Sequence, residues 1–209
     1  NFPADREEAV SLPNHPQKPE WGKREVPFSR ELWIEREDFM EDPPKKFFRL
    51  APGREVRLRY GYFITCQEVV RNSAGEIVEL RCTYDPATRG GDSPDGRKVQ
   101  GTIHWVSADH AKEAEVRLYD HLFSKEDPDA VPDSVDWLTN VNPKSLEVLT
   151  DCRVEPILAN AQIGELYQFE RLGYFCVDSV DSTKRKPVFN RTVTLRDSWA
   201  NLQKAGRKM

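Results

Sequence analysis

The sequence predicts a mainly β protein, folded as closed barrels or a sandwich with few helices. Three observations carry that expectation: short runs of β-branched and aromatic residues recur along the chain, turn signals divide them, and no helical pattern exceeds about three turns. The runs are ELWIE, EVRLRYGYFITCQEVV, EIVELRCTY, RKVQGTIHW, AEVRLYDHLF, SLEVL, ELYQFERL, GYFCVD and PVFNRTVTL. At 209 residues the length suits two small barrels better than one large sheet.

Residues 1–27 are rich in proline and charge. Pro13, Pro16, Pro19 and Pro27 each disfavour the α conformation in the residue before them, which predicts an extended connector lying along a surface. A first barrel region is expected over residues 28–124. Within it NSAGE (72–76) and SPDGR (93–97) supply the Asn, Asp and Gly that tight turns require, so two hairpins are expected there. The acidic, proline-bearing stretch KEDPDAVPDSVD (125–136) is the expected loop between halves, and residues 125–209 form the second region. Short helical signals fall at ADHAKEA, at SVDWLTN after a cap at Asp133, at ILANAQIG before a glycine stop, and at RDSWANLQK.

With 31 basic and 35 acidic residues the chain carries a formal charge of −4, which argues against an indiscriminate DNA coat held by bulk positive charge. No apolar stretch approaches the roughly 20 residues of a membrane span, and the opening NFPADREEAV lacks a signal peptide's basic and apolar regions. A cytoplasmic protein is expected, and a start at Asn1 fits either a processed product or a piece of a longer chain. Cys66, Cys82, Cys152 and Cys176 form no paired knuckle, so reduced thiols are expected and a metal site is not.

Against this acidic background residues 45–59 turn basic: Lys45, Lys46, Arg49, Arg54, Arg57 and Arg59 stand against the single acid Glu55. Alternation along EVRLRYGYF places Arg57 and Arg59 on one strand face and Val56, Leu58 and Tyr60 on the other. Guanidinium forks suit phosphates and base edges, so nucleic acid is the first partner to consider; an ordinary solvated face fits the same pattern. A second basic constellation follows. In QFER, Gln168 and Glu170 share one face and Phe169 and Arg171 the other, and TKRKPVFNRTVTLRD adds Lys184, Arg185, Lys186, Arg191 and Arg196 among apolar residues. A glutamine amide both donates and accepts, as reading an unpaired base edge requires. His104, His110 and His121 fall in one sector, where a structural role outweighs a catalytic or metal role. The phosphate-cradling glycine loops of nucleotide sites, a GxSxG elbow and an HExxH helix are all missing.

Four strings extend the inference: PNHPQKPEWGKREVPFS (13–29), CTYDPATRGGDSPDGRKVQGTIHWVSADHA (82–111), EVRLYDHLFS (115–124) and FERLGYFCVDSVDSTKRKPVFNRTVTLRDSW (169–199). Together they resemble the C-terminal, anticodon-binding part of the bacterial glutaminyl-tRNA synthetases, nearly from end to end. The resemblance implies two six-stranded barrels of the ribosomal-protein type, with the C-terminal strands returning to the first. It also implies that residues 1–27 connect to an N-terminal catalytic domain, whose HIGH-like and KMSKS-like motifs this chain lacks. ATP then belongs to the full-length enzyme, and this segment needs no cofactor and performs no catalysis.

Carried onto this sequence, the resemblance implies that Arg49, Arg57 and Arg59 contact bases and phosphates, and that Gln168 and Arg171 read the central or a neighbouring base. Gln17 is implied at the anticodon stem, Lys45, Lys46 and Lys186 at phosphates, and Ser198 as a weaker contact. Phe48 stands where relatives carry Lys, a departure that implies either one fewer phosphate contact or a stacking contact in its place. The implied partners are tRNA(Gln) and the catalytic domain of the same chain, with a monomer expected and neither DNA nor membrane. A related glutamyl-tRNA synthetase and an rRNA-binding barrel protein are the alternatives.

Overall fold

The computed structural model describes residues 1–90 and 93–195. Among these the chain is mainly β, with helical structure confined to short 3-10 turns. It divides into two compact units, Asn1–Ala111 and Lys112–Met209.

In the first unit β1 (Glu8–Pro13) pairs antiparallel with β2 (Lys23–Phe28), so residues 1–27, expected as a connector, form a hairpin instead. Their alternation is the reason: Val10, Leu12, Val26 and Phe28 are all buried and join Phe2 in the unit's core. The prolines are tolerated because β1 and β2 pair only with each other, which leaves edges on which a missing N–H breaks no ladder. β3 (Leu32–Trp33) is followed by β4 (Glu55–Leu58), β5 (Phe63–Arg71) and β6 (Ile77–Asp85), then by β7 (Thr102–Ile103) and β8 (Val106–Ser107). One sheet runs in the order β6-β5-β4-β7, and β3 pairs with β8.

The NSAGE hairpin joins β5 to β6 as expected. Asn72 Oδ1 accepts from the Ala74 and Glu76 N–H groups, both at 3.0 Å, and Gly75 supplies the left-handed φ of 83°. SPDGR turns at Gly96 but joins no pair of neighbouring strands, because β6 and β7 lie at opposite edges of their sheet. Gly91 and Asp92, just before it, lie outside the described residues.

The second unit holds β9 (Lys112–Tyr119), β10 (Leu146–Val154), β11 (Leu166–Phe169), β12 (Gly173–Val177) and β13 (Val188–Val193), ordered β10-β9-β13-β12-β11. The boundary therefore falls after Ala111, not near Lys125. β9 belongs to this sheet because β13 returns alongside it in parallel, pairing Phe189 with Val116. That long-range pairing also keeps β13 within the second unit; the terminal segment RDSWANLQK, with Arg196 and Ser198, lies outside the described residues. Phe175, Phe189, Val116, Val177 and Ala114 form the core. Phe169 stacks on Phe175 with ring centroids 4.4 Å apart.

Both units are β-rich, yet their sheets are not closed by hydrogen bonds into barrels among the described residues. The ADHAKEA helix is also absent: His110 and Ala111 N–H both bond to the Ser107 carbonyl in a turn, and β9 starts at Lys112. SVDWLTN and ILANAQIG shorten to 3-10 turns at Trp137–Asn140 and Pro156–Asn160, the first capped by Asp136 through the Leu138 N–H.

Candidate nucleic-acid interface

The basic run of the first unit is held by its apolar partners. Val56 and Leu58 are fully buried, which fixes the face on which Arg57 stands. The strand ends at Leu58, sooner than the alternation suggests: Tyr60 takes a left-handed φ of 56°, and the Gly61 N–H bonds back to the Leu58 carbonyl at 2.8 Å. Arg59 therefore sits in a turn. Its backbone is still pinned on both sides, its N–H donating to Ile103 at 3.0 Å and its carbonyl accepting from the Trp105 indole at 3.0 Å. The Arg57 guanidinium lies 5.0 Å from the centroid of the buried Phe63 ring, and that of Arg59 lies 5.8 Å from Tyr60.

Glu55, the single acid of the run, is occupied elsewhere. Arg97 clasps it with two bonds, Nε to Oε2 at 2.9 Å and Nη2 to Oε1 at 3.0 Å, and also pairs with Asp85 and Asp95. These bonds raise the Arg97 pKa, and the Ser93 hydroxyl with Arg97 holds the Asp95 carboxyl down at about 2. The SPDGR turn thus ties Glu55 through Arg97, whose guanidinium is satisfied by carboxylates.

Lys45, Lys46 and Phe48 project from the loop before β4, and all three are exposed. Four contacts fix this loop. Arg54 donates to the Phe47 carbonyl, Leu50 exchanges backbone bonds with Asp38 and Met40, and Arg49 Nη1 lies 3.0 Å from Asp38 Oδ1. The fourth is steric, because Phe48 packs so tightly on Gly101 that no Cβ fits there. Gly101 also accepts the Arg57 N–H at 2.8 Å, so Phe48 and Arg57 are registered through one residue. Arg49, implied by the resemblance as a base and phosphate contact, is tied to the fully buried Asp38 and to the Glu37 carbonyl. Gln17 is exposed in the loop joining β1 to β2, its N–H bonded to His15 Nδ1 at 3.1 Å. In the same loop Lys18 lies 4.5 Å from the ring centroid of the exposed Trp21.

In the second unit Gln168 is the third residue of β11 and faces solvent. Tyr174 stands directly opposite it on β12 and is 43% exposed, an aromatic neighbour that the alternation in GYFCVD carried but the sequence reading did not single out. Glu170 and Arg171 lie beyond the strand, in a turn where Leu172 N–H bonds to Phe169 at 3.0 Å, and Arg171 adopts a left-handed φ of 64°. A non-glycine residue there is uncommon, and it directs Arg171 from the tip of the turn, not from a strand face. Lys184 and Arg185 are exposed in the segment before β13, and Lys186 is half-buried.

His110 is held by its neighbours. His110 Nδ1 bonds to Ser107 Oγ at 2.8 Å, and its Nε2 lies 3.5 Å from Glu7. The Cys66 and Cys82 thiols face each other across β5 and β6, both free, with burial pushing each pKa up, Cys82 to about 12.

Comparison with known proteins gives the arrangement a context. Two models, each described as the anticodon-binding domain of class I tRNA synthetases (E and Q), match residues 1–85 and 102–178. The glutamine–tRNA ligase of Nitrobacter winogradskyi is 57% identical over 206 residues, covering 99% of this chain and 36% of that protein. That of Pseudomonas putida is 54% identical over 201 residues, 96% of this chain and 35% of the relative. That of Rhodopirellula baltica is 50% identical over 208 residues, 100% of this chain and 34% of the relative. The chain thus spans about a third of the length of the curated relatives it matches.

Proposed function

The chain belongs to the anticodon-binding domains of the class I tRNA synthetases of the E and Q type, and from that premise we propose that it reads the anticodon loop of tRNA(Gln) for a glutamine–tRNA ligase. The observation that carries the reading is identity of 50–57% to glutamine–tRNA ligases across almost the whole chain. It favours glutamine over the glutamyl relative and over an rRNA-binding barrel. The remaining two-thirds of such an enzyme holds the catalytic domain that consumes ATP; this part supplies recognition and no cofactor site. The complete enzyme acts as a cytoplasmic monomer, and among the described residues no helix is long and apolar enough to cross a membrane.

The chemistry divides between the two units. An anticodon loop is single-stranded RNA whose bases can be drawn apart and bonded along their Watson–Crick edges. In the first unit Lys45 and Lys46 meet phosphates, Phe48 offers a stacking face, and Arg57 and Arg59 present guanidiniums on a rigid backbone. Arg49 contributes through the loop it anchors and through the exposed part of its guanidinium-bearing side chain. In the second unit Gln168 reads a base edge while Tyr174 beside it stacks on a base, and Arg171 reaches the same nucleotide or its neighbour. Gln17 meets the stem, and Lys186 adds phosphate contact. The two units form the two RNA-binding regions, and the N-terminal hairpin is where the chain arrives from the catalytic domain.

Competition binding tests the reading. Labelled tRNA(Gln) bound to this chain is challenged with unlabelled tRNA(Gln), tRNA(Glu) and duplex rRNA, and tRNA(Gln) is expected to compete best. Better competition by duplex rRNA would replace the reading with a ribosomal one.

A further inference from the structure

We propose that Arg191 is a further RNA-binding residue of the second unit, its guanidinium taking a phosphodiester oxygen of the bound loop; the inference rests on the tRNA reading above. Arg191 lies on β13 opposite the buried Phe175 of β12. Its stem leans across Gly173: a Cβ built on that glycine would stand 3.2 Å from Arg191 Cδ and 3.3 Å from Cγ. Gly173 follows the turn that carries Arg171, so the Arg191 side chain is aimed from the sheet toward that turn. The glycine makes this course available, since the same Cβ would also press on the Val193 carbonyl at 2.5 Å.

What sets Arg191 apart is its lack of a partner. Its Nε is buried without a hydrogen bond, and among the described residues the side chain makes no ion pair. Arg117, on the adjacent β9, shows how a half-buried guanidinium is normally satisfied: Nε donates to Glu115 at 2.8 Å and Nη2 to Asp181 at 2.7 Å, with Asp178 nearby. A half-buried cation whose Nε is shielded from water and unbonded, with no counter-charge beside it among the described residues, costs stability, so its retention points to a ligand that completes it. A phosphodiester fits better than a base edge. It accepts from the guanidinium fork and also brings the full negative charge, which a neutral base does not.

The test uses the 209-residue chain and a tRNA(Gln) transcript, with affinity measured across a salt series. Arg191→Gln is expected to weaken binding about tenfold and to flatten the slope of log K against log salt by about 0.7, the contribution of one single-strand phosphate. The loss is expected to be equal for anticodon-substituted transcripts. Arg191→Lys, which keeps the charge and most of the stem, retains the slope and covers the case in which the glutamine variant folds poorly. Wild-type binding with unchanged affinity and slope in Arg191→Gln overturns the proposal while leaving the tRNA reading intact. A slope preserved with altered discrimination among anticodons overturns the phosphate assignment in favour of base contact. Absence of wild-type binding to any tRNA removes the tRNA reading and this proposal with it.

Discussion

Replacing Gly101 with alanine tests whether the lysine-bearing loop and Arg57 form one rigid surface. The added Cβ would stand 3.0 Å from the Phe48 carbonyl carbon, closer still to its oxygen, and 3.2 Å from Val56 Cγ1. Comfortable carbon contacts lie near 3.5–4.0 Å, so the Phe48 carbonyl must retreat by roughly 1 Å or β7 must part from β4. Val56 is fully buried and cannot give way. Overpacking of this kind costs about 1–3 kcal/mol, and an obstruction made of backbone belongs at the upper end. With a urea m-value of about 2 kcal/mol per molar, the unfolding midpoint should drop by roughly 1–1.5 M. Binding should suffer as well, because the displaced segment carries Lys45, Lys46, Phe48 and Arg49; a tenfold loss of tRNA affinity corresponds to about 1.4 kcal/mol. Urea titration followed by tryptophan fluorescence, with filter binding on the same samples, reads both effects. An unaltered midpoint together with unaltered affinity would refute the claim that Gly101 registers the loop against the arginine strand.

Other perturbations follow from the same contacts. Arg49→Ala removes one charge-assisted contact of the buried Asp38 carboxylate and should destabilise the chain by about 1–3 kcal/mol in urea titration, whether or not RNA is present. Burial, reinforced by the Glu8 carboxylate, raises the Tyr62 pKa from 10.0 to about 12, so the proton is held more tightly in the folded state. The stability from that phenol is complete below pH 10 and is lost as pH rises toward 12; thermal melts should show the decline, and Tyr62→Phe should reduce it. Gln168→Ala, at an exposed position, should leave the melting temperature unchanged. Its effect should appear in recognition, narrowing discrimination among anticodon variants by about 1–3 kcal/mol in parallel titrations.

The β character was legible because alternation is local: EVRL buries Val56 and Leu58, and GYFCV buries Phe175 and Val177, as period-two spacing requires. The hairpin in residues 1–27 was hidden by its prolines, which signal breaks unless the strand is known to lie on an edge. The unit boundary was hidden for a different reason. It depends on β13 pairing in parallel with β9 across some seventy intervening residues, a non-local choice that no window of sequence contains.

The same division holds at the candidate site. The basic run and the QFER strand were visible as residue types, whereas the turns at Tyr60 and Arg171 required backbone conformation. The capture of Glu55 by Arg97 and of Arg49 by Asp38 depended on distant partners. Arg191 appeared in the sequence as one cation among several in TKRKPVFNRTVTLRD; only the structure distinguishes a guanidinium with a buried, unbonded Nε.

The central claim is that this chain reads an anticodon, and the most direct measurement is its affinity for tRNA(Gln) against the same tRNA with each anticodon base replaced in turn. The account predicts that at least one replacement weakens wild-type binding tenfold or more, about 1.4 kcal/mol, and that Arg57→Ala or Gln168→Ala erases part of that difference. Equal affinity for every anticodon, unchanged by either substitution, would contradict it.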